Sequence, residues 1–187
     1  MIAENWIDLE CHPSTLREAA LAIKALVRRP ADAEMRITFR LDGDLSRIRI
    51  PAPRTPRIAG DLWQHTCFET FIAVEGQSAY HEFNFAPSGE WAVYEFSSYR
   101  NGSLLADEEM RPLIAVNSSD SRLELDAQVH LDRISRGYQA ASLRVGLAAV
   151  IEDNVGLSYW ALRHPSGRPD FHDAHGFTMR LASPAAT

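Results

Sequence analysis

Residues 62–96 read LWQHTCFETFIAVEGQSAYHEFNFAPSGEWAVYEF, and this stretch decides the fold. It holds three runs rich in aromatic and aliphatic residues, near 64–74, 79–86 and 91–96, separated by Glu75-Gly76-Gln77-Ser78 and Pro87-Ser88-Gly89. Both separators are turn chemistry, because glycine tolerates positive φ, proline presets φ and serine bonds nearby backbone. Strands joined by such short links pair as antiparallel hairpins. Side chains alternate faces along a strand, so Trp63, His65, Cys67, Glu69 and Phe71 share one face, and Tyr80, Glu82 and Asn84 share a face of the next strand. Paired as a hairpin, the two place Glu69 near Glu82 or Asn84.

The same period continues on either side. Met35, Ile37, Phe39 and Leu41 alternate with Arg36, Thr38, Arg40 and Asp42, and Leu123, Leu125, Ala127, Val129 and Leu131 alternate with polar residues. Further strands are expected near 48–50, 113–117, 143–151, 158–162 and 177–181, whereas the proline-rich 51–57 cannot sustain a ladder. One helix is expected near the start. Thr15 and Glu18 form a capping box, Leu16, Ala19, Ala20, Ile23, Leu26 and Val27 recur at helical spacing, and Pro30 ends the run. A single helix excludes a doubly wound α/β fold. The expectation is an all-β, antiparallel, jelly-roll-like β-sandwich with one N-terminal amphipathic helix, residues 1–187 forming one domain.

Composition narrows the function. With 187 residues and a net charge of −6, the chain lacks the basic surface that nucleic acid or an anionic membrane demands. The start carries Glu4 and Asp8 where a signal peptide needs an apolar run, so a cytoplasmic location is expected. Cys11 and Cys67, the two cysteines, are then expected to stay reduced. Nothing in the sequence fixes the oligomeric state.

An aromatic ring beside carboxylate and amide groups on one sheet face suits a sugar. The ring stacks on the apolar face of a pyranose, and the polar groups bond its hydroxyls. The competing reading of any one aromatic is a core side chain, but a carboxylate on an apolar strand needs a partner.

Trp63, the acid Glu69 six residues later, and Tyr80-His81-Glu82-Phe83-Asn84-Phe85-Ala86-Pro87-Ser88-Gly89 together resemble the DOMON-like and family 9 carbohydrate-binding-module superfamily. The later segment SYWALRHPSGRPDFHDAHGF resembles small bacterial DOMON-like proteins. The resemblance implies a sandwich with a ligand cleft in which two rings clamp a sugar and a Glu bonds its hydroxyls. By position Trp63 is the first ring and Glu69 the acid. Trp160 is the nearest candidate for the second ring, with Phe171 also available. The superfamily also contains haem binders that use Met and His, and secreted members with calcium. No calcium loop is evident here, and the missing signal peptide departs from exported wall-binding modules.

Residues 163–175 add Arg163, His164, Asp170 and His172 as candidates on a loop at the edge of the sandwich. The three histidines and two aspartates of 164–175 open a metal-binding alternative, although Pro165, Gly167 and Pro169 deny the stretch a regular face. Glu69 and Glu82 would serve a glycoside hydrolase as paired carboxyls. No nucleophile-elbow, zincin, Walker or dinucleotide motif is present. The balance favours a non-catalytic module that binds a sugar or sugar derivative through Trp63, Glu69, Glu82, Asn84 and Trp160 and needs no cofactor. A haem- or metal-binding protein comes second and a hydrolase last.

Overall fold

Alternating residues need two environments, and the chain supplies them by folding one continuous sheet onto itself. The computed structural model describes residues 5–15, 21–31 and 33–183. Among them lie twelve strands: β1 (Ile7–Cys11), β2 (Ala22–Ala31), β3 (Glu34–Asp42), β4 (Cys67–Val74), β5 (Tyr80–Phe85), β6 (Trp91–Ser98), β7 (Asn101–Leu104), β8 (Leu113–Ser118), β9 (Arg122–His130), β10 (Leu143–Glu152), β11 (Leu157–Ala161) and β12 (Met179–Leu181). Neighbours run β8-β9-β3-β2-β1-β11-β10-β4-β5-β6-β7, with β12 beside the start of β10, and every strand pair is antiparallel. The hinge is β1. Its Ile7–Leu9 half pairs with β2, while Glu10 and Cys11 pair with Ala161 and Trp160 of β11.

The two layers meet over one core. Ile23, Met35, Ile37, Phe39, Leu123 and Leu125 come from one side, and Phe68, Ile72, Phe83, Phe85, Trp91 and Val145 from the other. Phe39 stacks on Phe68 across the interface with ring centroids 5.0 Å apart. On the solvent side of the first layer, Arg40 bonds Glu124 and Thr38 bonds Asp126 across the β3–β9 pair. That is the wet-and-dry alternation read from the sequence.

The expected N-terminal helix is corrected. Ile23, Leu26 and Val27 lie in β2, and Leu16, Glu18, Ala19 and Ala20 fall outside the described residues. Ile23, Ala25 and Val27 point inward at period two, and Leu26 is buried on the other face. Pairing with β3 from Ala22 to Arg28 satisfies the backbone and overrides local helical propensity. Pro30 ends no helix but sits where the β2–β3 register shifts, a site that tolerates its missing N–H. The described helices are short and lie later, α1 (Leu131–Ile134) and α2 (Arg136–Ala140). Strands β1 and β7 were not expected, and the 48–50 piece reduces to one bridge between Ile48 and Asp153.

Seven of the eight residues of β4 and all six of β5 are buried, because these strands are covered on both faces. One face packs in the sandwich. Over the outer face lies the loop that follows β11, whose Phe177 stacks on Phe71 at 5.5 Å. That covering makes a cavity.

Candidate functional site

The β4–β5 register sets Glu69 opposite Asn84 and Phe71 opposite Glu82, so both carboxyls stand on the outer face of adjacent strands. Alternation along β6 puts Tyr94 and Phe96 on that same face, and β11 contributes Tyr159. Together with Trp63, Arg100, Phe171 and His172 they surround a cavity of about 560 Å³. That size suits a small organic ligand, and its mix of aromatic rings and a few polar groups is typical of such sites.

Glu69 is 3% exposed, and its Oε1 has no hydrogen-bond partner among the described residues. Burial, and then repulsion from Glu82, push its pKa well above the usual carboxylate range. Glu82 accepts a 2.6 Å hydrogen bond from Asn84 Nδ2, yet burial still raises it to about 7. Asn84 is fully buried and also receives the Cys67 thiol at 3.5 Å, so it braces Glu82 from beneath. The Cys67 thiol is itself pushed up by burial and by the two carboxyls.

His172 stands beside this pair. Burial, and then the charge of Arg100, lower its pKa to about 4, so its ring is neutral at neutral pH. Tyr80 Oη accepts from the backbone N–H of Arg100 at 3.2 Å and lies 2.8 Å from His172 Nδ1. This contact leaves the other ring nitrogen, His172 Nε2, 3.6 Å from Glu82 Oε2. The separation exceeds a hydrogen bond and the ring is neutral, so this is a dipolar contact and not an ion pair.

Asp170 locks the loop to the sheet. It accepts from Arg100 Nη2 at 2.8 Å, from Tyr99 Oη at 2.6 Å and from the backbone N–H of His172 at 3.1 Å. These bonds hold its carboxyl below the usual range despite partial burial. Arg100 occupies the β6–β7 turn with φ of 54°, a left-handed conformation that costs a non-glycine residue free energy. The clamp keeps it there.

The sequence candidates divide accordingly. Trp63, Glu69, Glu82 and His172 line the cavity, and Asn84 and Asp170 support it from behind. Trp63 reaches it from a 3-10 turn, Leu62–Gln64, ahead of β4 and not from a strand, which leaves the indole 47% exposed. Trp160 is corrected as the second ring. It is 4% exposed, faces the sandwich core and donates its Nε1–H to Ser158. The β10–β11 register turns Tyr159 outward instead. Arg163 is exposed and does not line the cavity, and His164 Nε2 bonds Glu10 O while its ring packs on His12. His175 bonds Asp173. The histidines of the loop thus separate, and among the described residues no group of three or more His, Cys, Asp or Glu is placed to hold a metal ion. Tyr94, Phe96, Arg100 and Tyr159 were missed as site residues. Alternation from Trp91 would have found the first two.

No protein-family model matches the sequence, and no curated protein is significantly similar to it. Solved structures do share its fold. One, from Bacteroides uniformis and described as carbohydrate-binding, is 13% identical with a TM-score of 0.71 over 92% of this chain and 84% of that one. A family 9 carbohydrate-binding module from Caldicellulosiruptor kristjanssonii in complex with glucose is 10% identical, with a TM-score of 0.54 over 98% of this chain and 86% of that one. The structure with cellotriose is 11% identical, with a TM-score of 0.53 over 88% and 75%. At these identities the likeness establishes the β-sandwich.

Proposed function

We propose that the protein is a non-catalytic module that binds a sugar or sugar derivative in the cavity between Trp63 and the Glu69–Glu82 pair. The observation that carries this reading is Glu69, buried at the cavity with an unpartnered oxygen and flanked by aromatic rings. A buried carboxyl without a donor is costly unless something supplies one, and sugar hydroxyls do. Trp63 offers an exposed indole face for stacking, and Tyr159 or Phe171 supplies the second ring. The fold shared with carbohydrate-binding proteins supports the same reading.

Calorimetry with a panel of mono- and disaccharides tests it. The expected result is saturable binding that Trp63→Ala weakens by about five-fold or more, since stacking is worth roughly 1 kcal/mol or above. Because that indole is half exposed, the variant keeps its unfolding midpoint. Binding unaffected by Trp63→Ala, or absent from the whole panel, refutes the reading.

A second reading rests on Glu82. A carboxyl raised to about 7 beside another acid is the pairing a glycoside hydrolase uses. Turnover of chromogenic glycosides that disappears in Glu82→Gln would establish it in place of simple binding.

A further inference from the structure

Arg100 and Arg168 both line the cavity, yet the Glu69–Glu82 pair itself draws few donors from its surroundings. Glu69 and Glu82 are 3% and 5% exposed on neighbouring strands, and both line it. Of the groups around them, Asn84 Nδ2 serves Glu82 Oε1, His172 Nε2 stays 3.6 Å from Oε2, and the Cys67 thiol is directed to Phe68 O and Asn84 Oδ1. Glu69 Oε1 is left with nothing. The Arg100 guanidinium is held 2.8 Å from Asp170. The rest of the lining is dominated by Trp63, Tyr94, Phe96, Tyr159 and Phe171, whose ring faces attract a cation.

Two buried carboxyls and an aromatic surround match one chemistry better than a neutral hydroxyl does. A hydroxyl brings one proton to donate and no charge. An ammonium brings three donors and the positive charge that lets one of the carboxyls ionise out of water. Building on the sugar reading, we infer that the ligand is an amino sugar, whose protonated amine sits against Glu69 and Glu82 while its ring stacks on Trp63.

The charge balance is explicit. Empty, the pair keeps protons, because burial and mutual repulsion disfavour two carboxylates and Arg100 offsets this only in part. When the ammonium enters, a carboxyl releases its proton to solvent, and the total charge of the cavity is unchanged. Arg168 and Tyr159 line the same cavity, and the other titratable groups facing the pair are Cys67, Tyr80, Tyr94, Arg100, Asp170 and His172. With the thiol and the Tyr80 and Tyr94 phenols pushed up, Asp170 pushed down and His172 lowered to about 4, these hold their protonation in mildly acidic buffer. The released proton therefore reports on Glu69 and Glu82.

Calorimetry of the full chain with D-glucosamine, D-glucose and N-acetyl-D-glucosamine, repeated in two mildly acidic buffers of different ionisation enthalpy, tests the inference. Glucosamine is expected to bind about ten-fold tighter than glucose or better, equivalent to about 1.4 kcal/mol. Acetylation, which removes the charge, abolishes the gain, and proton release accompanies glucosamine alone. Glu69→Gln keeps the side-chain shape and is expected to erase the preference for the amine. Equal affinity for glucosamine and glucose, or a preference that survives Glu69→Gln, overturns the inference and leaves the sugar reading standing. Absence of binding by all three sugars overturns both.

Discussion

Glu82→Gln should make the protein more stable at neutral pH and leave it unchanged in acid. In the folded chain burial raises Glu82 from 4.5 to about 7. Below 4.5 the carboxyl is protonated folded and unfolded, so it contributes nothing. As the pH climbs from 4.5 towards 7 the unfolded chain gives up this proton while the folded chain keeps it. The folded state then binds more protons, and stability falls with rising pH. Above 7 the loss levels off at about 3 kcal/mol, from 1.36 kcal/mol for each unit by which the pKa rises. Glutamine cannot titrate, and its amide oxygen still accepts the Asn84 Nδ2 hydrogen bond. Urea denaturation across this range should show the variant and the wild type converging in acid and separating by about 3 kcal/mol at neutral pH. For a chain of this size that is roughly 6–12 °C in Tm. Glu69 is raised by the same causes and adds a decline of the same sign, which the variant retains in weakened form because one like charge has gone. Parallel pH profiles for the two proteins, or a variant less stable than wild type at neutral pH, would refute the placement of Glu82 in a desolvated acid pair.

Other perturbations separate the core from the site. Trp160→Ala should cost about 3–5 kcal/mol by urea denaturation, since it empties a packed position facing the sandwich core; a loss below about 1 kcal/mol would mean that the indole faces solvent after all. Asp170→Asn should speed amide hydrogen exchange across residues 168–173 by loosening the bonds to Tyr99 and Arg100, and unchanged exchange would show that the clamp does not hold the loop. Gly146→Ala would bring a Cβ within 2.6 Å of Phe177 Cδ1, so a destabilisation of about 1–3 kcal/mol is expected, relieved when Phe177→Leu is added. Additive effects of those two changes would show that the clash is absent.

The hairpins of 62–96 were legible because apolar runs of strand length are bounded by turn sequences that leave little choice of partner. The same alternation set Glu69 beside Asn84 and Glu82. What stayed hidden depended on distant pairing. In β2, Ala22, Ile23, Ala25, Leu26 and Val27 satisfy helical and strand spacing alike, and only β3 on one side and β1 on the other decide between them. The sequence Ser158-Tyr159-Trp160 carries neighbouring aromatics that must face opposite ways. Which one faces the core follows from their pairing with Ala149 and Val150 of β10, which no local pattern encodes. Arg100 was invisible because β7, all four of whose residues are exposed, has no apolar period to mark the turn before it.

Several energetic costs gather at the outer face of β4, β5 and β6. Two acids are desolvated there, one of them with an unpartnered oxygen, and Arg100 holds a left-handed φ worth roughly 1 kcal/mol of strain. Each of these has a local restraint: Asn84 on Glu82, Asp170 on Arg100, Tyr80 on both Arg100 and His172. None of the restraints removes the basic mismatch, which is the unpartnered Glu69 oxygen beside a cavity of about 560 Å³. If filling the core were the purpose of this face, an aliphatic side chain in place of Glu69 would serve it better, as the inward face of the same strand demonstrates with Phe68 and Ile72. The mismatch is resolved only by a molecule that brings donors into the cavity, so the same acids that weaken the empty protein at neutral pH should hold its ligand.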